Sequence, residues 1–223
     1  MTEPVEPPVS PPGSPPESPP ESPVQIRGYR PGDLADLYRV CLQTGDSGAD
    51  ATGLFRDPDL LGHVHAAPYG VLEPSLAFVA EDGAGVGGYC LAALDTRAFE
   101  QRLEQEWWPP LRQRYADPEV TEREHWTRDQ ELAYVIHHPW QTEDDLLAGF
   151  PSHLHVDLLP RVQGRGIGRR LMDLQLAALR ERGSCGVHLH VMPTNQRALS
   201  FYDHLGFTRL RTGYSHVLGM PLS

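Results

Sequence analysis

Gln163-Gly164-Arg165-Gly166-Ile167-Gly168 places three glycines at alternate positions between an apolar, strand-like run and a long amphipathic one. Glycines so spaced let a backbone bend sharply and bring its N–H groups close to a ligand. A helix that starts there adds the positive end of its dipole. Strand, loop and helix start together make a site for a pyrophosphate, and a side chain at Gly166 or Gly168 would stand in the phosphate position. A P-loop would need Lys and then Ser or Thr after its last glycine, where this chain has Arg169-Arg170. A dinucleotide fingerprint would need the spacing G-x-G-x-x-G and a carboxylate at the end of the next strand. Here the spacing is G-x-G-x-G, and the next strand, Val187 to Val191, runs into Met192-Pro193. A nucleotide-dependent oxidoreductase therefore fails.

His153, His155 and Asp157 alternate on the strand before the loop, so all three point to one face. Imidazole titrates in the useful pH range. A carboxylate in a partly apolar wall has its pKa raised, or binds a substrate ammonium. Together they can serve as general base or hold an ordered water. The competing reading is that they fix the sheet by hydrogen bonds, with His153 the strongest case. The chain has 11 histidines, and His188 and His190 share a face of the next strand. No Cys lies close to them and no H-E-x-x-H occurs, so no metal site is expected.

The glycine loop resembles the Q/R-x-x-G-x-G/A signature of the GCN5-related N-acetyltransferases (GNAT). Asn195-Gln196-Arg197-Ala198-Leu199-Ser200-Phe201-Tyr202-Asp203-His204-Leu205-Gly206-Phe207 resembles the family's second signature, N-x-x-A-x-x-F-Y-x-x-L-G-F. The general resemblance covers residues 24–218. It implies an acyl-CoA N-acyltransferase fold and acetyl-CoA as cofactor. The implied binding residues are Leu158, Leu159, Val162, Gln163, Gly164, Arg165, Gly166, Ile167, Gly168 and Arg169, with Asn195 and Arg197 beyond. The strand before the loop would pair with the pantetheine arm. Tyr202 would protonate the CoA thiolate, with Asp157 and His155 handling the incoming amine. The H-L-H order also resembles the strand of arylalkylamine acetyltransferases, whose paired histidines serve base function.

A narrower resemblance rests on Trp107–Tyr115, His153–Pro160 and Pro68–Pro74, which look like the acetyltransferase-like second domain of O-GlcNAc hydrolases. No segment remains to supply a glycosidase's paired carboxylates on a barrel of their own, which implies a free-standing relative of that domain. Animal members of that group are thought to lack a usable cofactor loop. The complete loop here favours binding. The leading expectation is transfer of acetyl to a primary amine, on a protein lysine or a small molecule. The alternative is a CoA-binding or interaction module without transfer.

A chain of 223 residues fits one domain with a tail. Its net charge of −11 argues against a nucleic-acid or anionic-membrane binder and is compatible with a cationic acceptor. No apolar run approaches the roughly 20 residues of a membrane span, and no secretory signal is present, so a cytoplasmic enzyme is the default. Cys41, Cys90 and Cys185 each lie in an apolar segment and are expected to be buried. A homodimer is left open.

Residues 1–23, Pro/Ser/Glu-rich and locally repetitive, read as a disordered tail that adds nothing to core stability, a ligand for a Pro-recognising partner being the other reading. Residues 24–223 read as the GNAT domain. Its elements are a strand at 24–30, a helix from Pro31 with Leu34, Leu37, Tyr38, Cys41 and Leu42 on one face, and a hairpin over 76–94. Gly87-Gly88 mark a bulge or close approach in that hairpin. Residues 97–150 form a helical insertion, broken at Pro109-Pro110 and resumed over Glu122–His138, that shapes the substrate pocket or an oligomer contact. Then come strand 152–159, helix 167–182, strand 186–192, helix 195–205 and a hairpin from 207 to 219. The order predicts a mixed α/β sheet with helices on both faces.

Overall fold

The computed structural model describes residues 23–222, so the expectations for the Pro-rich tail lie almost wholly outside the described residues. Seven strands form one mixed sheet in the order β1-β2-β3-β4-β5-β7-β6. They are β1 (Gln25–Gly28), β2 (Ala77–Asp82), β3 (Gly85–Ala93), β4 (Ser152–Leu158), β5 (Gly186–Val191), β6 (Thr208–Arg211) and β7 (His216–Pro221). Helices cover both faces, as the element order predicts.

All neighbouring strands are antiparallel except β4 and β5. That parallel pair is joined only at Ser152↔Val187 and His153↔His188. β4 stays paired to β3 along its other edge from His153 to Leu158, and β5 to β7 along its whole length. Beyond residue 153 the two central strands therefore separate, and a V-shaped opening splits the sheet.

The sheet divides two cores. On one face α1 (Leu34–Thr44), α2 (Leu60–His65) and α3 (Ala67–Leu72) pack on Val79, Tyr89 and Leu91. Val40, at 0% exposure, belongs to that core although the apolar stripe read from the sequence omits it. The same face receives three helices from the stretch between β3 and β4, α4 (Thr96–Arg102), α5 (Trp108–Arg114) and α6 (Arg128–His137), and that stretch ends in the short α7 (Asp144–Leu147). On the other face α8 (Ile167–Glu181) and α9 (Gln196–Leu205) pack on Cys90, Ala92 and Leu189. α8 buries Leu171, Met172, Leu176 and Leu179. Burying a side chain of that size stabilises by about 1.5–3 kcal/mol, so this face alone anchors the helix.

Three sequence expectations are corrected. Pro109-Pro110 do not end the helix: a π-type turn over Leu103–Trp107 leads straight into α5, with the prolines in its first turn. Proline lacks an N–H and crowds the carbonyl four residues back, and the wider turn relieves both faults. The Glu122–His138 stretch is split instead. A 3-10 segment runs over Val120–His125, and Thr127 then starts α6 in a capping box with Gln130. Cys185 is exposed while Cys41 and Cys90 are buried, because it sits just before β5 begins. The Gly87-Gly88 expectation holds in both forms. The β2–β3 register slips there, and a Cβ on Gly88 would lie 2.2 Å from Leu158 Cδ2 and 2.8 Å from Asp157 O.

Candidate active site

The opening between β4 and β5 brings the predicted groups together from four elements. Along β4, His153, His155 and Asp157 face the first core, as alternation requires. His153 is held at both ring nitrogens, by Tyr69 Oη at Nε2 and Thr96 Oγ1 at Nδ1, each at 2.7 Å. Burial, reinforced by neighbouring histidines, pushes its pKa well down. It is a fixed neutral wall. His155 has no such partner among the described residues, and burial, with His65, His190 and His188 around it, lowers its pKa to about 3.

Asp157 differs. Its Oδ2 accepts a 2.8 Å hydrogen bond from Tyr89 Oη, and Tyr89 stands directly opposite it in the β3–β4 register. Burial raises the carboxyl to about 6, although the tyrosine bond favours the charged form. A carboxylate so placed gains and loses a proton close to neutrality, which suits a general base.

Tyr202 approaches from α9. Its position is set by the helix end: Phe207 N–H donates to Tyr202 O and Gly206 N–H to Asp203 O, with Gly206 at φ 93°. This is the Schellman closure, which glycine at that position makes cheap. The ring packs on Phe201 and Phe207 at 5.3 and 5.4 Å. At 6% exposure, its hydroxyl has no hydrogen-bond partner among the described residues. Burial first and then the charge of Asp157 push its pKa up, keeping the hydroxyl protonated.

The glycine loop closes one end of the opening. Gly164 and Gly166 adopt φ values of 75° and 70°, and a Cβ on either meets nothing within 4 Å. Gly166 caps α8 without any side-chain cap, so the first N–H groups of the helix are free for an anion. Gly168 is different. A Cβ there would sit 3.3 Å from both Leu158 Cδ1 and Phe201 Cζ, so the missing side chain lets α8 pack against β4 and α9. Gln163 Nε2 donates to Leu158 O at 2.5 Å, and Leu159 N–H to Gly87 O at 2.7 Å, so those backbone groups brace the loop. Val162 is fully buried beneath it and Ile167 nearly so. Arg161 ties the loop to the β2–β3 turn through Asp82 and Val86 O. Arg165 and Arg197 are exposed, and Arg169 reaches Asp173 at 3.4 Å on the open side of α8. Asn195 spends its carbonyl capping α9 through Ala198 N–H at 3.0 Å.

The sequence profile of the Acetyltransferase (GNAT) family matches residues 100–207. The crystal structure of SsHAT superposes with a TM-score of 0.81 at 38% identity, covering 90% of this chain and 98% of that one. The chain belongs to the GNAT family. Protein O-GlcNAcase of Rattus norvegicus is 29% identical over 186 residues, 81% of this chain and 20% of that protein. Mycothiol acetyltransferase of Beutenbergia cavernae is 37% identical over 125 residues, 52% of this chain and 39% of that enzyme. The chain thus spans about a fifth of the first and about two fifths of the second. The same fold, at 15% identity and a TM-score of 0.52, occurs in Salmonella typhimurium yncA, solved with its cofactor acetyl-CoA, over 91% of this chain and 95% of that one.

Within this GNAT frame, sequence reasoning missed Tyr89, His65 and Tyr69. Tyr89 reaches Asp157 across 68 positions of chain, and His65 and Tyr69 reach His155 from the α2–α3 corner. No local pattern marks them, because only strand register and helix docking bring them in. The one group with a partial signal was Pro68–Pro74, read for its resemblance and not for any role.

Proposed function

We propose that this protein transfers an acetyl group from acetyl-CoA to a primary amine by direct attack. The observation that carries the reading is the separation of β4 from β5 after residue 153, with an uncapped helix start at one end of the opening and Asp157 and Tyr202 along it. Open space at Gly166 and the free N–H groups of α8 fit a pyrophosphate, with Arg169 and Arg197 at hand for charge. The backbone edge of β4 from Leu154 onward, which no strand among the described residues covers, fits the amide groups of a pantetheine arm. Acetyl-CoA supplies a thioester, an acyl group already activated towards nucleophiles.

Asp157 takes the proton that the amine gives up as its nitrogen bonds to the acetyl carbon. Tyr202, kept protonated by burial and by the nearby carboxylate, gives its proton to the sulfur as the carbon–sulfur bond breaks. His155 borders the same space and stays neutral. Every group named lies in one chain, so a second copy is not required. A cytoplasmic setting, where acetyl-CoA is available, goes with this reading.

Calorimetry with acetyl-CoA and thiol release in the presence of an amine panel test it. Micromolar binding that Gly166→Val abolishes, with thiol release matched by N-acetyl product, is the expected result. Binding with no transfer to any amine would leave a CoA-binding module. No binding at all would end both readings.

A further inference from the structure

His65 closes α2, and its ring lies 6.2 Å from that of His155, centroid to centroid. Tyr69 packs against His155 at 5.3 Å and so joins the two elements. The other histidines nearby are tied down: His153 by Tyr69 and Thr96, His63 by Tyr38, and His188 by Phe150 O. Neither His65 nor His155 makes a hydrogen bond among the described residues. Their nitrogens are not sealed away either, since the sealed and unpartnered side-chain nitrogens and oxygens among the described residues are Arg27 Nε on β1 and His216 Nδ1 on β7. Burial holds both rings neutral, at about 4 for His65 and about 3 for His155. Each therefore offers one donor and one acceptor, and Asp157 stands two residues along β4.

We propose that His65 and His155 read the acceptor through polar groups beside its amine, so that the acceptor is a small amine carrying hydroxyl or carbonyl groups on neighbouring carbons, of the amino-sugar type. The inference rests on the acetyl-transfer reading and assigns its substrate class. The amine nitrogen itself belongs to Asp157 and the thioester carbon. A lysine side chain brings four methylenes behind its nitrogen and no second polar group. It would cover the two imidazoles with hydrocarbon and exclude their water. A buried polar group left unpaired costs roughly tenfold to hundredfold in affinity. A hydroxyl one or two bonds from the amine-bearing carbon satisfies both rings at no such cost. His65 is then a specificity-determining residue that leaves the proton transfers to Asp157 and Tyr202.

The test compares D-glucosamine, n-butylamine and an N-terminally blocked lysine peptide as acceptors, with acetyl-CoA bound to the full chain. CoA thiol release is read together with the mass of the product. Wild type should transfer to glucosamine. His65→Leu, which keeps bulk and removes both nitrogens, should lower kcat/KM for glucosamine by roughly tenfold to hundredfold. It should leave butylamine transfer and acetyl-CoA affinity unchanged. Differences in intrinsic amine reactivity cancel in that variant-to-wild-type ratio. His65→Asn, which restores one donor and one acceptor, should recover part of the loss, and it carries the test if the leucine variant does not fold. Equal losses for glucosamine and butylamine would overturn the inference. So would transfer to butylamine or the lysine peptide but not to glucosamine, which would leave the transferase reading standing. Acetyl-CoA bound with no transfer to any of the three would overturn both.

Discussion

Asp157→Asn should make the protein more stable while removing its activity. Burial holds the carboxyl at about 6 in the fold against an ordinary value of 3.8. The folded state therefore binds this proton more tightly than the unfolded chain. A raised carboxyl favours the fold fully below the unfolded pKa, and that contribution is lost as pH rises through the folded value. At pH 7.5 a carboxyl held at about 6 and not at 3.8 corresponds to about 3 kcal/mol of lost stability. Asparagine carries no charge to desolvate and still offers an oxygen to Tyr89 Oη. The variant should thus gain up to about 3 kcal/mol at pH 7.5, or about 6–12 °C in Tm for a chain of this size. At pH 5 the same linkage leaves about half of that gain. The assay is denaturant unfolding of both proteins at the two pH values, with acetyl-CoA titrations to check that the loop is intact. Turnover on a confirmed acceptor should fall by roughly 10²-fold or more with acetyl-CoA affinity unchanged. A variant less stable than wild type at pH 7.5, or a gain that does not shrink by pH 5, would refute the assignment of a strained, proton-ready carboxyl.

Tyr202→Phe keeps the ring against Phe201 and Phe207 and removes only the hydroxyl. It should lower kcat by roughly 10²-fold with acetyl-CoA affinity and Tm nearly unchanged, and full activity would refute the acid role. Gly166→Val should abolish acetyl-CoA binding, because φ 70° is strained for a β-branched residue and the side chain would fill the open cradle. Gly168→Val should instead lower Tm first, since its side chain would press on Leu158 and Phe201; calorimetry and thermal scans separate the two. Acid should unfold the protein through its neutral histidines. His65 and His188 sit at about 4 and His155 at about 3, so stability is present above the ordinary histidine pKa and is lost as pH falls towards these values. At pH 5 these three take up about three protons on unfolding while Asp157 gives back about one, so Asp157→Asn should take up about one more proton than wild type, measurable from the pH slope of unfolding free energy.

What could be read from the chain alone is what the backbone writes locally. The glycine loop and the Leu205-Gly206-Phe207 helix end are stretches whose torsions dictate their residue types, and both fold as read. The alternation His153-Leu154-His155-Val156-Asp157 gave the shared face correctly, but a strand pattern says nothing of what stands opposite. Tyr89 meets Asp157 only because β3 pairs with β4 in that register. His65 meets His155 only because α2 docks on the same core. Local rules also overreached where packing had the deciding voice. The Trp107-Trp108-Pro109-Pro110 run looked like a break and is absorbed by a wider turn. Asp157, the proposed general base, illustrates the limit best. Its residue type and face were legible, but the property that fits it for the task is a carboxyl raised to about 6. That value is made by burial between Tyr89 and the first core, and burial is a property of the assembled sheet. The stability gain expected of Asp157→Asn is therefore also a measure of how much of this site the sequence could not have disclosed.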